Sequence, residues 1–126
     1  SSEEALQSIM DHQRRCSSDN IVIVLDDAPL KQPVYDTLFR DAAKLNIALI
    51  VTRQYVGDLP PAQRLNINYM FAFKHPGNMY LIFFKDSPEG FGVFKKTLEN
   101  GGNYCCAVFN PKVPDVVYRH IAEAQS

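Results

Sequence analysis

Two adjacent carboxylates, Asp26 and Asp27, are the residues whose type and position most directly indicate chemistry in this sequence. They follow a run of aliphatic residues at 21–25, which predicts a strand buried on both faces of a parallel sheet. The carboxyl end of such a strand is where open α/β sheets bind their ligands. An acid pair there suits a hydrated divalent cation and a water molecule oriented toward a phosphate. The alternative is an aspartate-rich turn that caps the next helix.

A second aliphatic run, at residues 47–51, also ends in polar residues, the last of which is Gln54. Between the two runs, apolar residues recur at helical spacing in a stretch that begins at Pro33 and ends at Asn46. Strand, helix and strand with apolar strands predict a βαβ unit whose two strands are parallel. Because the carboxyl ends of parallel strands lie at one edge of the sheet, both carboxylates should lie near Gln54.

The remaining sequence predicts further helices and strands, and the fold class that follows is α/β with a largely parallel sheet flanked by helices. In chain order, we expect first a helix over residues 1–15 that starts with a capping box at Ser1 and Glu4, then a short helix at 61–64 and a strand at 69–73. The stretch at 79–84 is predicted to be either a strand or a buried helical turn. We then expect a helix containing Phe91, Phe94 and Leu98, a strand at 104–109 and a closing helix from Val116 to Ala124.

Length and composition limit the choice of function class. With 126 residues and a formal net charge of -1, the chain is one domain or part of one, and its overall charge does not favour nucleic acid. The three cysteines lack metal-ligand spacing, so we expect free thiols. No apolar run approaches the ~20 residues of a membrane span, so no membrane insertion is predicted. Because it lacks both an initiating Met and a signal-peptide pattern, we expect a piece of a longer protein.

Three stretches of the sequence together resemble a known family. They are an aliphatic strand ending in Asp26-Asp27, a strand ending in Thr52-Arg53-Gln54, and the segment Asp58-Leu59-Pro60-Pro61 that leads through Arg64 and Asn66 to an aromatic strand at 69–73. Their order and intervals resemble the carboxyl-terminal half of the genome-packaging ATPases of large DNA viruses, and most of all the poxvirus-like branch. These enzymes belong to the FtsK–HerA superfamily of P-loop motors. The resemblance covers residues 20–74 well and the remainder loosely.

The resemblance implies the fold of a P-loop NTPase core of the RecA/FtsK type and assigns roles to residues of the predicted edge. Asp26 resembles the Walker B acid that holds Mg2+ through water beside bound ATP. Asp27 occupies the position of the carboxylate that polarises the attacking water, where many relatives have the longer Glu. Gln54 resembles the polar sensor of the γ-phosphate.

Arg64 occupies a position near the subunit interface where the family often has a basic residue. The resemblance therefore makes Arg64 the candidate arginine finger, with Arg53 and Arg40 as rivals. An arginine finger acts by neutralising charge at the transition state of phosphoryl transfer.

For the whole protein, the resemblance implies an ATP hydrolase that uses ATP and Mg2+ and assembles into a homo-oligomeric ring. The implied partners are double-stranded DNA and components of the viral capsid or portal. The implied location is the viral assembly site in the host cytoplasm, or the virion. The alternatives are another FtsK–HerA-type DNA translocase or helicase, or a non-catalytic α/β interaction module.

The sequence departs from the family in one large respect, because it contains no Gly-x-x-x-x-Gly-Lys-[Ser/Thr] motif. That loop supplies most of the phosphate contacts in P-loop proteins. We expect it to precede Ser1 in the parent protein, as part of the same ATPase domain. The chain by itself should therefore not hydrolyse ATP.

The aromatic residues of the second half allow two interpretations. Their spacing follows strand and helix periods, which favours packing in a core. The alternative is that they stack on nucleotide bases. The set comprises Phe71, Phe73, Tyr80, Phe83, Phe84, Phe91 and Phe94.

Overall fold

The computed structural model describes residues 2–16, 18–75, 79–102 and 104–122. It divides into two compact units, Ser1–Asn66 and Ile67–Ser126. The first unit contains α1 (Ser2–Arg15), β1 (Ile21–Asp26), α2 (Pro33–Asp41), β2 (Ile47–Thr52) and α3 (Pro61–Arg64), with a 3-10 turn at Val56–Asp58. The second contains β3 (Met70–Phe73), a 3-10 helix at Met79–Phe83, α4 (Pro88–Asn100), β4 (Cys105–Phe109) and β5 (Val117–Ile121). None of the described helices has the length and apolarity needed to cross a membrane.

The helices of the first unit form where the apolar spacing predicted them. In α1, Leu6, Met10 and Gln13 are buried along one face, whereas Ser1 of the predicted capping box lies outside the described residues. The α2 helix begins at Pro33, as predicted, but it ends at Asp41 rather than at the predicted Asn46. Turns follow it as far as Asn46, whose φ of 55° is left-handed. Asparagine tolerates this conformation better than most residues, which explains why the chain changes direction there.

The strands β1 and β2 are parallel and in register from Ile21 opposite Ile47 to Asp26 opposite Thr52. The predicted βαβ unit is therefore confirmed. A shared register over six pairs brings both carboxyl ends to the same edge of the two-stranded sheet. This parallel pair is what positions the candidate site.

The prediction that the first strand is buried on both faces is wrong for the described structure. Ile23 is buried, but Val22 and Val24 on the other face are 63% and 60% exposed, and Ile50 of β2 is 52% exposed. Side chains alternate between the two faces of a strand, and only one face of this sheet is covered. An aliphatic run specifies two apolar faces, but it does not specify what covers each of them.

The sheet of the second unit is antiparallel and three-stranded, in the order β3-β4-β5. The molecule is therefore a small mixed α/β protein, and the predicted parallel sheet is confirmed only for β1 and β2. The predicted closing helix is wrong over its described part, because Val117–Ile121 forms a strand on β4; its predicted end at Ala124 lies outside the described residues. A short apolar stretch such as this one fits a helical and a strand period equally, and cross-strand pairing decides between them.

The core of the second unit is aromatic. Phe84, Phe94 and Phe109 are almost completely buried, and their ring centroids lie 4.9–5.4 Å apart. Ser87 caps the amino end of α4, since its Oγ accepts a hydrogen bond from the Gly90 N–H at 3.2 Å. The predicted core interpretation is thus confirmed for Phe84 and Phe94 but is wrong for Phe71 and Phe73, which are 63% and 61% exposed. The ambiguous stretch at 79–84 is mostly a 3-10 helix.

All three cysteines are free, as expected, and they differ in exposure. Cys105 and Cys106 are buried in β4, whereas Cys16 is exposed at the end of α1. Adjacent residues of a strand point to opposite faces. Cys105 lies against α4, where its Sγ donates to the Thr97 carbonyl at 3.6 Å, and Cys106 lies between Phe73 and His120 on the other face.

Candidate functional site

The carboxyl edge of the parallel sheet joins Asp26 to Thr52. The two residues are paired across the strands, and the Thr52 hydroxyl donates a hydrogen bond to Asp26 Oδ1 at 2.5 Å. Both side chains are exposed. The hydroxyl therefore fixes the orientation of the first carboxylate while leaving it open to solvent. Sequence reasoning assigned no role to Thr52, although its position at the strand end was visible.

Asp27 continues this edge for one residue beyond β1. Its backbone N–H donates to the Thr52 carbonyl at 3.0 Å and to Thr52 Oγ1 at 3.2 Å. Its φ is 52°, in the left-handed region that aspartate visits more readily than most residues. The chain therefore turns away from the strand direction at Asp27. The Asp27 side chain is exposed and lies just beyond the carboxyl end of β1.

Arg53 connects the end of β2 to the loop after β1. Its Nη1 donates to the Ala28 carbonyl at 2.5 Å, so the guanidinium lies next to the segment that follows the acid pair. Its Nε is buried and has no hydrogen-bond partner among the described residues. A buried unpaired donor on a cation is costly unless a partner is supplied. Sequence reasoning treated Arg53 only as a rival arginine finger.

Gln54 lies two residues beyond the Thr52 end of β2, in a bend, with an exposed side chain. Because the strands are parallel and Asp26 is opposite Thr52, the backbone brings Gln54 to the same edge as both carboxylates. The shared edge follows from the parallel register, and close approach of the Gln54 side chain to the carboxylates stays a prediction. The roles assigned to the three side chains stay predictions.

Arg64, by contrast, is held within its own loop. Its Nη1 donates to the Leu59 carbonyl at 2.9 Å, and the side chain is partly buried. Arg40, the other rival, forms a bidentate pair with the neighbouring Asp41, with N–O distances of 3.0 and 3.2 Å. Of the three candidate arginines, only Arg53 is shown to contact the chain beside the acid pair.

A buried glutamine, Gln63, connects three segments of the first unit through hydrogen bonds. It is fully buried, and its Nε2 donates to the Leu30 carbonyl at 2.8 Å and to Asp36 Oδ1 at 2.9 Å. Gln63 therefore ties α3 to the loop after β1 and to the first turn of α2. The sequence carries no signal that separates this buried amide from an exposed one.

The oxygen donors at the edge fit one mode of magnesium binding. Among the described residues, no group of three or more His, Cys, Asp or Glu side chains has the arrangement to hold a metal ion. Mg2+ does not need such a cage, because it is usually bound by one or two carboxylates together with water and substrate phosphates. Asp26, oriented by Thr52, and Asp27 are the two exposed carboxylates that this edge offers.

Comparison with known proteins adds no relative. The sequence matches no protein-family model, and no significant match was found among curated proteins or among solved structures. The resemblance to packaging ATPases therefore depends on the motifs of this chain and on their spacing.

Proposed function

We propose that this chain forms the Walker B part of a P-loop motor ATPase of the FtsK–HerA type, which moves double-stranded DNA into a viral capsid. The observation that supports the proposal is the parallel register that puts Asp26 opposite Thr52, with Gln54 two residues further along. The family resemblance supplies the finer assignment to DNA packaging, to a ring and to capsid or portal partners. It also supplies the location at the viral assembly site or in the virion.

In this proposal the two carboxylates have separate tasks. Asp26, whose carboxylate the Thr52 hydroxyl orients, would hold hydrated Mg2+. Asp27 accepts a hydrogen bond from the attacking water and takes its proton. Magnesium, when bound with ATP, neutralises charge on the phosphates. A positioned general base is worth roughly 10²–10⁴ in rate, which makes Asp27 the residue with the largest expected effect.

Gln54 and an arginine complete the proposed site. Gln54, two residues beyond the end of the neighbouring strand, would donate a hydrogen bond from its amide to the γ-phosphate of bound ATP. Loss of that phosphate on hydrolysis would release Gln54 and the segment that follows it. Arg53 is the arginine best located to act on a nucleotide bound at its own edge, since it contacts Ala28. Arg64 could act as an arginine finger toward a neighbouring subunit only if its guanidinium released the Leu59 carbonyl and bound a phosphate instead.

The phosphate-binding loop of this proposal is supplied by polypeptide outside the given sequence, since the motif is absent from it. The chain alone should therefore bind nucleotide weakly and turn over none. The activity belongs to the assembled motor that contains this chain.

Replacing Asp27 with Asn in the assembled motor tests the proposal. The amide keeps the size of the side chain but removes the base, so ATP turnover should fall by about 100-fold or more. Nucleotide binding should remain within about threefold, because Asp26 and the phosphate contacts are unchanged. Steady-state phosphate release and equilibrium binding of a fluorescent ATP analogue measure the two quantities.

Asp19→Asn is the matched control, because Asp19 is an exposed carboxylate of the same unit that only pairs with His12 at 3.9 Å. It should leave turnover unchanged. Turnover in Asp27→Asn equal to that of the control would remove Asp27 from catalysis.

A non-catalytic interaction module is the second candidate, and the exposed aliphatic face of β1 and β2 favours it. In that case the Thr52–Asp26 hydrogen bond only closes the strand ends. One inexpensive observation distinguishes the two candidate functions, namely whether the polypeptide that carries this chain contains a Walker A loop. A motor requires that loop, and an interaction module does not.

A further inference from the structure

One face of the antiparallel sheet presents aromatic rings to solvent. Cys105 of the central strand lies against α4, so its neighbours along β4 point to the opposite side of the sheet. The register places two cross-strand rows on that opposite side, which we call the aromatic face. The rows are Phe71–Val108–Tyr118 and Phe73–Cys106–His120.

Two further rings extend the aromatic face beyond its rows. Tyr69 directly precedes β3, and alternation along the strand puts it on the side of Phe71. Tyr104 directly precedes β4, and the hydrogen bond from the Ala122 N–H to the Tyr104 carbonyl at 3.0 Å continues the ladder to it. The five rings, each 61–77% exposed, are Tyr69, Phe71, Phe73, Tyr104 and Tyr118.

The exposed ring surface is large for a monomer. A Phe or Tyr side chain offers ~150–250 Å², so five rings that are about two-thirds exposed leave roughly 500–800 Å² of aromatic surface in water. The largest apolar patch of a typical monomer is about 300–600 Å². A specific protein interface takes about 800 Å² from each partner. The five rings therefore supply most of the area that a stable contact requires.

The aromatic face is almost free of charge. Its two rows contain no Lys, Arg, Asp or Glu, and His120 is their single ionisable base. Arg119 is paired with Ala107 and therefore lies on the other side of the sheet, where it lines a groove with Lys96 of α4. Charge thus selects neither a polyanion nor a polycation for this face. An uncharged surface can meet a copy of itself without bringing like charges together.

The aromatic face has two ridges with a trough between them. The rings stand on the outer strands β3 and β5, whereas the central strand presents the smaller side chains of Val108 and Cys106. Two strands on either side of a third are about 9.5 Å apart, which leaves room for an aromatic side chain above β4. A second copy related by a two-fold axis can place a ridge in this trough and accept a ridge in its own.

We propose that the aromatic face is a two-fold interface at which two copies of this chain pack sheet against sheet. Two sheet faces pack about 10 Å apart with interdigitated side chains. Aromatic residues are enriched and charged residues are depleted at the core of such interfaces. A two-fold contact closes at two copies, unlike the head-to-tail contact of a ring, so the inference does not rest on the proposed motor.

Sedimentation equilibrium of the chain tests the proposal. Interfaces of this size have dissociation constants in the micromolar range or below, so the wild type should be a dimer at about 100 μM. The variants Phe71→Glu and Tyr118→Glu each introduce a carboxylate on both sides of the contact. Each should raise the dissociation constant at least about 30-fold, and circular dichroism should show both variants folded.

Val24→Glu is the matched control. Val24 is also an exposed strand residue, but it belongs to the parallel sheet of the first unit. The variant should dimerise as the wild type does. A dimer that Val24→Glu dissociates, and that both aromatic-face variants retain, would assign the contact to the aliphatic face of β1 and β2 and overturn the proposal.

Dilution of the ¹⁵N-labelled wild type locates the contact without any substitution, so it remains informative if a glutamate variant unfolds. The amide signals of Phe71, Cys106 and Tyr118 should shift with protein concentration, whereas those of Val22 and Val24 should not. A wild type that stays monomeric at about 100 μM would overturn the proposal. Concentration-dependent shifts confined to the first unit would overturn it as well.

Discussion

The two sheets of this molecule place their polar and aromatic side chains differently. The parallel pair β1–β2 is aliphatic along its length and concentrates its polar groups at the carboxyl edge, at Asp26 and Thr52. The antiparallel sheet has no carboxylate in its strands and exposes rings across one face. The carboxyl ends of parallel strands bring together residues that are distant in sequence. The face of an antiparallel sheet instead presents rows of side chains paired across its strands. The proposed chemistry is therefore assigned to the edge of the first sheet, where Asp26 and Thr52 lie.

The comparison also holds within the second unit, where rings of one residue type have opposite environments. Phe84 is buried against Phe94 and Phe109, whereas Phe71 is mostly exposed. The hydroxyl of Tyr80 donates to the Phe73 carbonyl at 3.3 Å, and partial burial raises the pKa of Tyr80 above its ordinary value. Stability should therefore depend on the buried rings much more than on the exposed ones.

The largest expected effect on stability follows from truncating a ring of the core. Phe84→Ala should lower the free energy of unfolding by about 3–5 kcal/mol, since it removes buried apolar surface and leaves a cavity. Phe71→Ala should lower it by about 1 kcal/mol or less, because the ring is already in water. Urea unfolding followed by circular dichroism measures both changes.

Equal losses of stability in the two variants would contradict this division between buried and exposed rings. In that case Phe71 would be packed in the folded protein.

A smaller effect should separate the two glutamines of the first unit. Gln63→Ala removes a buried amide that donates to Leu30 and Asp36, so the free energy of unfolding should fall by about 1–3 kcal/mol. Gln54→Ala, at the exposed edge, should change it by less than about 0.5 kcal/mol. The measurement is again urea unfolding, and a larger loss in Gln54→Ala than in Gln63→Ala would make Gln54 a structural residue rather than a sensor.

The sequence predicted the elements that local spacing controls. The aliphatic runs and the helical spacing after Pro33 were sufficient for the parallel βαβ unit, and Asn46 marked the turn before β2. Tertiary contacts decided the rest. Val117–Ile121 became a strand because β4 offered a partner, and Val22 and Val24 stayed exposed because nothing in the described structure covers them.

For the candidate site, the sequence predicted which strand ends share an edge but not the side-chain contacts made there. Strand direction brought Asp26, Asp27 and Gln54 to one edge, which follows from chain geometry alone. The bond from Thr52 to Asp26 and the contact of Arg53 with Ala28 depend on side-chain rotamers, which spacing does not encode.

Paramagnetic broadening in the ¹⁵N NMR spectrum of this chain tests the central claim, that the carboxyl edge of the parallel pair holds a metal–nucleotide. Mn2+ takes the oxygen ligands that Mg2+ prefers, and its broadening detects weak binding. On addition of Mn2+ with ATP, the account predicts that the amide signals of Asp27 and Gln54 broaden first. Those of Ile21 and Ile47, about 16 Å away at the amino ends of the strands, should stay sharp. Broadening that begins at the amino ends, or that spares Asp27 and Gln54, would contradict it.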